Sequence, residues 1–182
     1  MFALFRTDPS QAAARHAYDR VVEQARRPGF FIAAGVPDTV AGRFELICLH
    51  AFLYLHRLKS EQPQAKPFGQ RFFDAMFADF DRSLREMGTG DLSVGREVRW
   101  MAEAFYGRIA AYQGGLADGD EALQAALARN LFGTAPTPAP SRLALMAAYV
   151  RGEVARLAGQ DSAALLAGEV AFGDPPRMAE AP

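Results

Sequence analysis

Few residues in this chain could do chemistry, and their spacing argues against each reaction they could support. His16, His50 and His56 are the only histidines among 182 residues. His50 and His56 stand six apart, on different sides of a helix, with no carboxylate or thiol at a metal-ligand spacing. The single thiol, Cys48, lies in the apolar run Leu46 to Leu49 and reads as a small core residue. One cysteine also excludes an intramolecular disulfide framework and suits a reducing compartment. Gly88-Thr89-Gly90 has the look of a phosphate-cradling loop, but an amphipathic helix precedes it and the Lys-Ser/Thr ending is missing, so a helix C-cap is the better reading. Asp118, Asp120 and Glu121 lack the twelve-position ligand ladder of a calcium loop and are accounted for by helix capping. No Ser, Thr or Cys stands beside a recognisable base. These residues predict a protein that is not an enzyme, holds no cofactor or metal and works by binding.

The elements that must position any binding surface are helical throughout. Half the residues are apolar and 23% are charged, enough to fold one domain with a continuous core. Net charge is −1, which favours neither nucleic acid nor an acidic membrane as a partner of the whole molecule. No apolar run approaches the roughly 18 residues a membrane span needs. The N-terminal stretch Met1 to Arg6 meets charge too early for a signal-peptide core, although Phe2, Leu4 and Phe5 could touch a membrane or a partner.

The fold class predicted is all-α, a single-domain multi-helix bundle with a central apolar helix at about residues 40–58. The first helix spans about Gln11 to Arg26 and ends at Pro28-Gly29. Val36-Pro37-Asp38-Thr39 punctuates the chain, and Asp38 or Thr39 can cap the helix that follows and ends near Leu58. Phe72, Phe73, Met76, Phe77, Phe80, Leu84 and Met87 form one stripe of a strongly amphipathic helix that Gly88 closes. The next helix starts at Asp91 or Ser93 and stops at Gly114-Gly115. On it Val94, Val98, Met101, Phe105, Ile109 and Tyr112 oppose a second face of Trp100, Ala104, Gly107 and Ala111. That small-residue face suggests a close helix, either the protein's own or a partner's. A short helix from Asp120 to about Leu131, a linker over Gly133 to Pro140, a helix from Ser141 to Gly159 and a short helix near Ala163 to Leu166 complete the domain, residues 1–173. Residues 174–182 read as a flexible tail.

Three blocks carry a resemblance. Val36-Pro37-Asp38-Thr39 with Gly42-Arg43-Phe44, then Arg85-Glu86-Met87-Gly88 with Gly90-Asp91, then Phe105-Tyr106-Gly107-Arg108 with Ala111-Tyr112, are similar in kind and order to the signatures of the ubiquinol-cytochrome c reductase assembly chaperones. The resemblance is strongest over residues 17–112. It implies an assembly factor for respiratory complex III that binds newly made cytochrome b, a membrane protein, and holds it for haem loading. Mitochondrial members work with a small helical co-chaperone near the ribosome. The chain starts almost at the domain and so looks like a bacterial member, cytoplasmic or peripheral on the inner membrane.

The candidate partner-binding residues are Asp38, Arg43, Phe44, Arg85, Glu86, Asp91, Trp100, Tyr106, Arg108 and Tyr112. Arg43, Arg85, Glu86, Asp91 and Arg108 are expected to meet on one surface, the alternative being internal ion pairs that fix helix register. Beside them an apolar groove is expected, lined by some of Phe30, Phe31, Trp100, Tyr106 and Tyr112, unless these only fill the core. Two other functions fit the same sequence. One is a helical carrier or enzyme for an apolar small molecule with an enclosed pocket; the other is an adaptor that joins two proteins.

Overall fold

The structure, a computed structural model, describes residues 8–61, 63, 65–133 and 138–177. Eight α-helices and no strands occur among them. They are α1 (Pro9–Ala25), α2 (Gly29–Ile32), α3 (Val40–Leu58), α4 (Ala65–Glu86), α5 (Asp91–Asp118), α6 (Asp120–Asn130), α7 (Pro140–Ala158) and α8 (Ser162–Leu166).

Local chemistry accounts for most of the boundaries. Asp8, Thr39 and Asp161 each accept a hydrogen bond from a free amide of the helix that follows, at 2.9–3.1 Å. Pro9 and Pro140 occupy first-turn positions whose amide needs no partner. Gly88 takes the left-handed conformation, φ 88°, while the Thr89 amide reaches back to the Leu84 carbonyl at 3.0 Å, closing α4. Gly90, not Asp91 or Ser93, is the N-cap of α5, and Asp91 stands in its first turn, where a negative charge suits the helix dipole.

The sequence leaves one helix start open, and one helix end differs from its reading. α4 begins at Ala65, a turn or more before Phe72, with Pro67 tolerated because it lies in the first turn. α5 runs through Gly114-Gly115 to Asp118. Gly115 is there for packing: a Cβ on it would stand 2.8 Å from the Leu123 Cα of α6, so only glycine lets the two helices approach this closely. The helix ends instead at Gly119, whose φ of 109° turns the chain into α6.

One core unites the helices, including Tyr18 and Val21 of α1, Leu46, Leu49, Phe52 and Leu53 of α3, Phe72 and Met76 of α4, Phe105 and Tyr112 of α5, Leu123 and Leu127 of α6, and Met146 and Val150 of α7. Cys48 is fully buried, and burial holds its thiol well above the usual range, so it stays protonated. Polar side chains brace the packing. The Tyr18 hydroxyl donates to Asp79 at 2.8 Å, tying α1 to α4. Arg57 donates to the carbonyls of Leu157 and Gln160 and to Ser162 Oγ, tying the end of α3 to the α7–α8 turn.

The chain after α8 lies back over α1 and α7. Gln24 Nε2 donates to the Gly173 carbonyl at 2.8 Å, the Gly173 amide donates to the buried Glu153 carboxylate at 3.0 Å, and Arg27 reaches Asp174. Of the tail read from residue 174 onward, 174–177 are in this strap and 178–182 lie outside the described residues. No described helix is long and apolar enough to cross a membrane.

Candidate functional site

The signature residues occupy three places. At the start of α3, Thr39 caps the helix and Asp38 pairs with Arg43 at 2.7 Å. Gly42 is obligatory here, because a Cβ on it would fall on the carbonyl oxygen of Pro37, which folds over the first turn. The Arg43 guanidinium lies over the Phe31 ring, 5.9 Å from its centroid.

Midway along α5, Arg108 donates in a fork to both oxygens of Glu45 and from Nη1 to the Ala104 carbonyl at 2.8 Å. Its guanidinium also lies over Phe44, which packs on Phe80 at 5.3 Å between ring centroids. The pair forms part of a cleft of about 420 Å³ with Thr39, Gly42, Arg129 and Phe132. Burial raises the Glu45 pKa, and the Arg108 hydrogen bonds oppose that rise. Tyr112, one turn beyond Arg108, is fully buried against Phe52, and its hydroxyl has no partner among the described residues.

At the α4–α5 turn, Arg85 bonds Asp81 and Asp91, an exposed cluster that holds the Asp81 carboxyl below its usual range. Glu86 is exposed beside it. The five charges expected to gather thus sort into three local sets, and no ion pair among the described residues links one set to another.

The aromatic residues divide as well. Phe30 and Tyr112 belong to the core, and Phe31 is half-buried under Arg43. Trp100 and Tyr106 are exposed by 58% and 59%. With Met87 and Leu92, which flank the glycine turn, they make the α4–α5 hairpin the richest source of exposed large apolar side chains, alongside Ile32 and Val40. Sequence reasoning did not single out Leu92, yet it is fully exposed in the first turn of α5. Its position opposite Val94 and Val98 on the helix is the signal that could have found it. Gly107 lies on the same outward face, and a Cβ there would meet nothing within 4 Å, so no described helix covers the small-residue face at Gly107, while Ala111 packs against the core.

Among the described residues there is no group of three metal-ligating side chains. His50 is occupied structurally. Its Nδ1–H donates to the Leu46 carbonyl at 2.7 Å, and its Nε2 accepts from the Tyr149 hydroxyl at 2.8 Å, which in turn accepts from Gln24. A carbonyl only accepts, which fixes the neutral tautomer. Burial lowers the His50 pKa to about 4.

Comparison with known proteins agrees with the resemblance. Residues 33–172 match the family described as Ubiquinol-cytochrome C chaperone. That match continues well past Tyr112, where the signatures end, and so takes in the C-terminal helices. The chain is 32% identical over 163 residues to ubiquinol-cytochrome-c reductase complex assembly factor 1 of Xenopus laevis, covering 88% of this chain and 80% of that protein. The human protein of that name is 31% identical over 163 residues, and the chain spans 54% of its length. The crystal structure of the Cbp3 homolog from Brucella abortus, a bacterium, superposes with a TM-score of 0.77 at 36% identity over 91% of both chains.

Proposed function

The chain belongs to the ubiquinol-cytochrome c chaperone family, and from that premise we propose that it binds newly made cytochrome b and supports assembly of respiratory complex III by binding alone. The observation that carries this reading is the exposed apolar set Met87, Leu92, Trp100 and Tyr106 on the α4–α5 hairpin, inside the signature region. Exposed aromatic and long apolar side chains clustered on one element mark a surface for another polypeptide. A membrane-protein client supplies apolar helices to match it. The ion pairs around this set give the surface a fixed shape: Arg85 holds the turn, and Arg108 fixes α5 against α3.

Nothing in this reading requires bond making. In support of this, His50 is a buried bracing group and Cys48 is sealed in the core. The clefts are open surface grooves; the largest, about 820 Å³ between α1 and α4, carries His16 among side chains that pair with one another, Arg15 with Asp19 and Arg71 with Asp8.

The test is a cross-linked pull-down from cells making complex III, with the gene deleted and then replaced by wild type or by a Trp100→Ser/Tyr106→Ser variant. Cytochrome b is expected as the dominant capture with wild type. Both the capture and the content of assembled complex III should drop several-fold with the variant. Normal complex III in the deletion strain would overturn the proposal.

A further inference from the structure

Lys59 and Lys66 are the only lysines in the chain, and both line one cleft of about 360 Å³ between the end of α3, the start of α4 and the middle of α5. Leu55, Phe73, Phe105 and Ile109 supply its apolar surface, and the Tyr106 ring stacks on Phe73 with centroids 5.6 Å apart. Every ion pair among the described residues uses an arginine, and neither lysine has a partner among them. The acid nearest in sequence, Glu61, is taken up by Arg57. No acidic residue lines the cleft. The result is an apolar trough flanked by two ammonium groups that no acid among the described residues neutralises.

We propose that this cleft docks a helical segment of a polypeptide partner that lays apolar side chains on Phe73, Tyr106 and Ile109 and presents carboxylates to Lys59 and Lys66. Charge complementarity fixes the sign of the partner, because a basic segment would be repelled from both ammonium groups. The shape favours a helix. Gly69 lies within α4 at this cleft, and a Cβ there would meet only Leu55, at 3.8 Å, so the glycine keeps the trough low enough for close approach. An anionic lipid would satisfy the same charges. Its acyl chain would need a longer, more enclosed channel than this short open trough lined by aromatic rings. The inference goes beyond the cytochrome b reading, since the partner is defined by its chemistry alone.

A photo-cross-linking amino acid in place of Gln70, which lines the cleft, tests this in the full chain, made in cells that naturally contain it, with the cross-linked peptides read by mass spectrometry. The expected adduct is a polypeptide whose captured stretch is an amphipathic helix bearing Asp or Glu. Its yield should fall about tenfold in K59E/K66E, stay unchanged in K59R/K66R, and return when the partner's carboxylates are replaced by Lys against K59E/K66E. Both lysines are exposed, so the variants should melt as wild type does, which is measured in parallel. A lipid adduct, a captured stretch without acids, a yield indifferent to charge reversal, or no adduct at all would each overturn the proposal. Normal complex III in the deletion strain would remove the cytochrome b reading and leave this one intact.

Discussion

Glu45 and His50 stand five residues apart on α3, and burial acts on them with opposite sign. Glu45 has a raised pKa because burial outweighs its bonds to Arg108. It therefore holds a proton more readily folded than unfolded, so its contribution to stability is complete below about pH 4.5 and is lost as pH rises through the folded pKa. Replacing Arg108 with Met removes the cation that opposes this shift and strands a buried carboxylate, at a cost of about 3 kcal/mol near neutral pH. Urea midpoints at pH 5 and pH 8 should show the gap between wild type and R108M widening with pH, and E45Q/R108M should close most of it. His50 is shifted down, from 6.5 to about 4. The folded state then binds fewer protons than the unfolded chain between these values, so stability is full above pH 6.5 and is lost as pH falls toward 4, by about 3 kcal/mol. His50→Gln should flatten that acid limb relative to wild type in the same titration, whatever its effect at pH 7.

Three glycines inside helices look alike in sequence and do opposite things in the structure. At Gly107 a Cβ would meet open space, so Gly107→Ala should raise stability by up to about 1 kcal/mol through helix propensity. At Gly42 and Gly115 the Cβ would strike the Pro37 carbonyl and the Leu123 backbone, so G42A and G115A should lower the melting temperature despite the same propensity gain. Thermal melts of the three variants check both signs. This contrast also marks how far the sequence could be read. Helix type, the α4 stripe of Phe72, Met76, Phe77 and Phe80, the Thr39 cap and the left-handed Gly88 follow from local periodicity and caps, and the structure has them. The Gly114-Gly115 stop fails because the reason for Gly115 is a neighbouring helix, which no local rule contains. The same limit governs the candidate site. Phe30 and Trp100 are equally apolar, and only tertiary packing buries the first and exposes the second. Leu92 was legible as outward-facing from its position opposite Val94. Lys59 and Lys66 were not, because their significance lies in the acids absent around them.

On the scale of the whole molecule, bracing and recognition are kept apart. The buried polar contacts of Gln24, His50, Tyr149 and Glu153 join α1, α3, α7 and the C-terminal strap, whereas Met87, Leu92 and Trp100 belong to the α4–α5 hairpin, outside that network. The proposed role in binding calls for this separation, because an apolar docking surface must face solvent without the fold's stability depending on it. Substituting Leu92 and Trp100 with Ser should then leave the urea transition within about 0.5 kcal/mol of wild type while lowering client capture. Trp100 is also the only tryptophan, so it reports on this surface alone. Being already solvated, it should show an emission maximum that barely moves when urea unfolds the protein, even as far-UV circular dichroism collapses. In protein isolated together with its client, the same emission should shift to shorter wavelength as the indole leaves water. A large red shift on unfolding would place Trp100 in the core and remove the hairpin as the docking surface. An unshifted emission in the complex would move the contact to another face.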